Sequence, residues 1–132
     1  MTSLNHIGIA VRDIEVSKTL YKKIFGIETF HTETVEEQMV QIASFNIGGI
    51  LIELTAPTSP DSPISKFLDK RGEGIHHIAF KSDNVQKELS RLSEEGIQLI
   101  NSEPKDGAHE MLIAFLHPKS TGGVLMELCQ PK

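Results

Sequence analysis

The sequence predicts an α+β fold in which two repeated βαβββ modules form a curved mixed sheet around a metal site. Two internal repeats and the polar residues they carry lead to that expectation. Gly48-Gly49-Ile50-Leu51-Ile52-Glu53-Leu54-Thr55-Ala56-Pro57 returns as Gly122-Gly123-Val124-Leu125-Met126-Glu127-Leu128-Cys129-Gln130-Pro131. The offset is 74 (127 − 53), and six of the ten residues are identical. His6-Ile7-Gly8-Ile9-Ala10-Val11 is echoed by His77-Ile78-Ala79-Phe80-Lys81 at an offset of 71 (77 − 6). Each half therefore opens on a strand with a His and closes on a strand with a Glu. A repeat of this kind dictates the architecture before any finer reading.

The elements follow in order. Leu4 to Val11 is an apolar strand, and residues 14 to 25 have helical periodicity. Ile14, Ser17, Leu20, Tyr21 and Ile24 recur at three- and four-residue steps, and Gly26 suits the stop. Ile27 to Thr34, Met39 to Phe45 and Ile50 to Ala56 read as strands, the last two joined by a turn at Asn46 to Gly49. Pro57 to Gly74 is a connector holding three of the six prolines. Within it Ser62-Pro63 caps a short helix carrying Ile64, Phe67 and Leu68. Ile75 to Lys81 begins the second half. Asp83 or Asn84 caps a helix carrying Val85, Leu89 and Leu92, which Gly96 ends. Ile97 to Ile100, Met111 to Leu116 and Val124 to Cys129 complete the pattern.

The 132 residues fit one domain, with modules at about 3–57 and 74–131 and the connector at 58–73. With 39% hydrophobic and 23% charged residues, the composition is that of a soluble globular protein. A net charge of −5 without a Lys/Arg stripe argues against a nucleic-acid surface. No apolar run reaches the roughly 20 residues of a membrane span, and the N-terminus has no signal-peptide pattern. The single Cys129 forms no intrachain disulfide and reads as a core residue. A cytoplasmic location without a membrane partner is expected.

The chemistry gathers on His6, Glu53, His77 and Glu127. A carboxylate on an apolar strand costs several kcal/mol to bury unless it is paired or bound to metal. Two imidazoles and two carboxylates suit a divalent ion such as Zn, Co, Ni, Mn or Fe. Taken singly, each His also reads as a satisfied core residue and each Glu as an exposed strand edge. Their matched repeat positions favour the metal.

Other stretches carry weaker signals. His76 points away from His77 on the same strand and reads as structural. His117-Pro118-Lys119 is either a solvated turn or a loop that holds a substrate carboxylate or phosphate. Lys105-Asp106-Gly107-Ala108-His109 is a plain loop or one that closes over the site. His31 reads as a surface residue. Lys22-Lys23 and Lys70-Arg71 are solvated charges or contacts for nucleotide phosphates.

Leu4 to Val11, Asp61-Ser62-Pro63-Ile64-Ser65-Lys66-Phe67-Leu68, Gly74 to Phe80 and Phe115 to Leu128 carry a family likeness over nearly the whole chain. Through them the chain resembles the vicinal oxygen chelate (glyoxalase-like) superfamily, and within it the methylmalonyl-CoA epimerase branch. The double His, the Ser-Pro-Ile helix and the His-Pro-Lys loop carry the likeness to that branch. The resemblance implies metal ligands His6, His77 and Glu127, with Glu53 at the fourth position. It implies a divalent cofactor, with Co favoured over Mn, Zn or Ni, an acyl-CoA substrate, and a homodimer. The implied reaction is epimerisation at C2 through a metal-stabilised enolate, with Glu127 and Glu53 as the catalytic carboxylates and His117 and Lys119 as substrate contacts. Gln41 or Ile42 stands where some members have a further Glu base. A glyoxalase-like lyase acting on a glutathione hemithioacetal, and a sequestering protein of the same fold, are the competing expectations.

Overall fold

The computed structural model describes residues 1–132. The chain divides into two compact units. One is Ile7–His76, and the other joins Met1–His6 to His77–Lys132. Strand β1 (Ser3–Ala10) contributes to both. No helix is long and apolar enough to cross a membrane.

In the unit Ile7–His76, β1 is followed by α1 (Ile14–Phe25), β2 (His31–Val35), β3 (Val40–Ile47), β4 (Ile50–Pro57) and α2 (Pro63–Arg71). The strands lie in the order β2-β3-β4-β1. Asp13 caps α1, its carboxylate accepting from the N–H groups of Glu15 at 3.0 Å and Val16 at 3.1 Å. Asp13→Ala is expected to cost about 1 kcal/mol and to lower Tm by a few degrees in thermal denaturation. A chain that melts unchanged would show the cap to be dispensable. Two expectations need correction here. Leu20 and Ile24 do not join the buried face of α1, being 52% and 61% exposed. The buried arc is centred on Ile14 and Ser17, and at 100° per residue Leu20 and Ile24 lie off its edge. Strand β2 begins at His31, not Ile27, because Phe30 turns its ring edge-on to Phe45 at 5.7 Å.

The turn between β3 and β4 is Gly48-Gly49, with φ of 60° and 90°, as a two-residue hairpin of right-handed twist requires. Alternation then sorts the strands. Ala43, Leu54 and Ala56 face α1 in a cluster with Val11 and Ile14. Ile42, Ser44, Glu53 and Thr55, one residue out of phase, point to the opposite face.

In the other unit, β5 (Gly74–Lys81) leads to α3 (Val85–Glu94), β6 (Lys105–Asp106), β7 (Met111–Leu116) and β8 (Met126–Pro131). The order is β5-β8-β7-β6, with β5 and β8 parallel and the other pairs antiparallel. The expected strand Ile97–Ile100 is absent, leaving only a bridge from Leu99 to Leu116. Ile97 and Leu99 pack inward beneath α3, and the side chain of Asn101 accepts the Phe115 N–H at 2.8 Å in place of a strand partner. Strand β8 starts two residues later than expected, at Met126, where its ladder with Leu116 begins.

The same alternation divides this sheet. Phe80, Ala114, Leu116, Met126 and Leu128 face α3 and pack with Val85, Leu89 and Leu92. Ala79, Ile113, Phe115 and Cys129 form an apolar cluster on the other face, which His77 and Glu127 share by phase.

Candidate metal centre

Strand register brings the site together. Glu127 on β8 lies between Ala79 of β5 and Phe115 of β7. His77, two residues before Ala79, points to the same face. Its ring meets that of Phe115 edge-on at 5.8 Å, which fixes its orientation. His6 comes from β1, and its ring is perpendicular to that of His77 at 5.2 Å.

The distances are those of a shared ligand. The Nε2 atoms of His6 and His77 are 3.1 Å apart. One Glu127 oxygen is 3.3 Å from the His6 Nε2 and the other 3.6 Å from the His77 Nε2. One ligand atom from each residue lies within 4.8 Å of the others, and all three residues are buried. Two imidazoles bonded to one ion at about 2.0–2.1 Å have their nitrogens about 3 Å apart. The donor set therefore fits a divalent first-row metal.

Protonation favours the same reading. Burial, and then the nearby charge of His109, push the His6 imidazole down to about 4. His6 is thus neutral at pH 7. Its Nδ1 lies 2.7 Å from the Asn5 side-chain oxygen, so the ring donates there and turns the Nε2 lone pair toward His77 and Glu127. The Asn5 contact could not be read from the repeat, since His76 stands at the corresponding position of the other half.

The other sequence-predicted residues fall as follows. The triad comprises His6, His77 and Glu127, whereas Glu53 belongs to the other unit. It is buried on β4 and in register with the buried Ser44. Burial, and then Glu33, push its carboxyl up to about 8. His76 stacks edge-on against Phe67 at 4.9 Å, as a structural residue does, and burial pushes its imidazole down to about 4. His117 opens a short 3₁₀ turn at Pro118–Ser120, and its Nδ1 accepts the Lys119 N–H at 3.1 Å. That bond leaves the His117 Nε2 as the N–H donor. Lys119 is exposed, as is His31, while Cys129 is fully buried. Gln41 is exposed and Ile42 buried, and neither offers a carboxylate.

Comparison with known proteins bears directly on this geometry. The family model of the Glyoxalase/Bleomycin resistance protein/Dioxygenase superfamily matches residues 5–115. The mitochondrial methylmalonyl-CoA epimerase of Homo sapiens is 40% identical over 96% of this chain and 73% of its own length. The chain belongs to the methylmalonyl-CoA epimerase family of that superfamily. An uncharacterized Bacillus subtilis protein, YqjC, is 46% identical over the whole of this chain and 94% of its own. Among solved structures, a methylmalonyl-CoA epimerase in complex with methylmalonyl-CoA and ammonium is 39% identical. It aligns with a TM-score of 0.94 over 99% of this chain and 95% of that one. The expected glyoxalase-like fold is thereby established. The epimerase relatives and the His6, His77 and Glu127 triad together point to a divalent metal.

Proposed function

We propose that this chain is a metal-dependent epimerase that interconverts (2R)- and (2S)-methylmalonyl-CoA. The observation that carries the reading is the buried His6–His77–Glu127 triad in a chain 39% identical, over 99% of its length, to an epimerase solved with that thioester. A divalent ion held by these residues, with Glu53 as a fourth ligand, supplies Lewis acidity to the thioester oxygen and so stabilises charge developing at C2.

The chain's own residues do the rest. Inversion needs one group to take the C2 proton and another to return one. Glu127 and Glu53 divide that work. His117 donates through Nε2, and Lys119 supplies a cation, to the carboxylate or phosphates of the substrate. Cobalt is the favoured ion, and a homodimer in the cytoplasm the favoured setting. A glyoxalase-like lyase would share the ligand set but act on a glutathione hemithioacetal. A sequestering protein would turn nothing over.

Incubation with methylmalonyl-CoA in D₂O tests the reading. Metal-loaded protein should wash deuterium into C2 and scramble its configuration, and chelator-treated protein should not. Uptake at the spontaneous rate by the loaded protein rejects the epimerase and turns attention to the hemithioacetal.

A further inference from the structure

The last strands of the two halves, β4 and β8, hold corresponding bonds and neighbours. Val11 N–H donates to Thr55 O at 2.9 Å, and Ser82 N–H donates to Cys129 O at 2.9 Å. Glu53 lies opposite Ser44, and Thr55 opposite Ile42. Glu127 lies opposite Phe115, and Cys129 opposite Ile113. Thr55 is therefore the counterpart of Cys129, and Ser44 that of Phe115.

The counterparts differ in one direction. Beside Glu127 the face is apolar, with Phe115, Ile113 and Cys129 packed together and the Cys129 Sγ donating to Phe80 O at 3.6 Å. Beside Glu53, hydroxyls stand in place of the ring and the thiol. Ser44 and Thr55 are buried, at 1% and 4% exposed. The Thr55 Oγ1 is shut off from solvent and has no hydrogen-bond partner in the chain. A hydroxyl withdrawn from water without a partner destabilises the fold, and Val fills nearly the same volume without that penalty. Thr55 points to the same face of β4 as Glu53, two residues and roughly 7 Å along the strand. An unused donor thus lies beside the carboxyl assigned above to the reaction.

We infer that Thr55 is a substrate-contacting residue, whose hydroxyl donates to an oxygen of the acyl group. This rests on the acyl-thioester reading above and adds to it a contact beside Glu53. The donor is already stripped of water before the ligand arrives, so the bond forms without a further desolvation cost. The stability lost in the free chain is regained as affinity in the complex.

The test is Thr55→Val in the metal-loaded protein. Without ligand, the variant should melt about 3 °C or more above the unmodified chain, because the unpartnered hydroxyl is gone. Its affinity for methylmalonyl-CoA, followed by calorimetry, should fall about 10-fold, while coenzyme A itself, which has no acyl group, binds as before. Thr55→Ser keeps the hydroxyl and should bind methylmalonyl-CoA as the unmodified chain does. A Tm that is unchanged or lower in Thr55→Val gives the hydroxyl a partner inside the free protein and overturns the assignment. Unchanged methylmalonyl-CoA affinity, equal losses for the thioester and coenzyme A, or a Thr55→Ser variant as weak as Thr55→Val overturns it too. C2 exchange by the unmodified protein separates the two readings. Exchange, together with a Thr55→Val variant that binds methylmalonyl-CoA normally, rejects only the role of Thr55. Thr55-dependent binding without exchange rejects only the epimerase, and neither binding nor exchange rejects both.

Discussion

His77→Ala should lose its divalent ion, with metal content falling from about one per chain to less than about a tenth. Deuterium exchange at C2 should slow about a thousandfold or more. The size of the effect follows from how the centre is built. His6, His77 and Glu127 each bring one ligand atom within 4.8 Å of the others. Removing the His77 imidazole leaves His6, Glu127 and the proposed Glu53, and water must fill a gap beside the Phe115 ring, where the surroundings are apolar. The adjacent His76 is the control. Its ring points to the other face and stacks on Phe67, so His76→Ala should keep its ion and perturb packing alone. Plasma emission spectrometry on the two purified variants decides the matter. Stoichiometric metal in His77→Ala would remove that residue from the centre, and equal loss in both variants would point to misfolding.

The contrast between these neighbours was legible before any coordinates, because a period of two is the strongest rule a strand obeys. The same rule, applied to the repeat, picks out His6, His77 and Glu127 as strand residues that break an apolar run. It could not find the strand boundaries. Ile97–Ile100 has the composition of a strand, yet Asn101 takes up the backbone donor of Phe115 with its side chain, a choice no propensity encodes. Nor could periodicity alone place Leu20 and Ile24, since an amphipathic arc read at three- and four-residue steps is uncertain by the width of one residue.

Glu53 should give the metal-free protein a pronounced loss of stability at alkaline pH. Burial lifts its carboxyl from 4.5 to about 8, so the folded chain holds a proton that the unfolded chain has released. The stability this contributes is complete below pH 4.5 and is lost as pH rises through about 8. His6 and His76 act in the opposite sense. Burial lowers each from 6.5 to about 4, so their contribution is complete above 6.5 and is lost as pH falls through about 4. Stability of chelator-treated protein in urea should therefore peak near pH 6.5 and fall by a few kcal/mol toward pH 8. Glu53→Gln keeps the shape and hydrogen-bonding capacity of the side chain without its ionisation, so its alkaline limb should be flat. An alkaline limb that survives in Glu53→Gln would assign it to another group. The same titration distinguishes the roles proposed for Glu53. A carboxylate bound to an ion stays ionised over the whole range, so loading the metal should erase the alkaline limb of the unmodified protein if Glu53 is a ligand. A limb that persists with the ion bound would leave Glu53 as a proton donor that does not touch the metal.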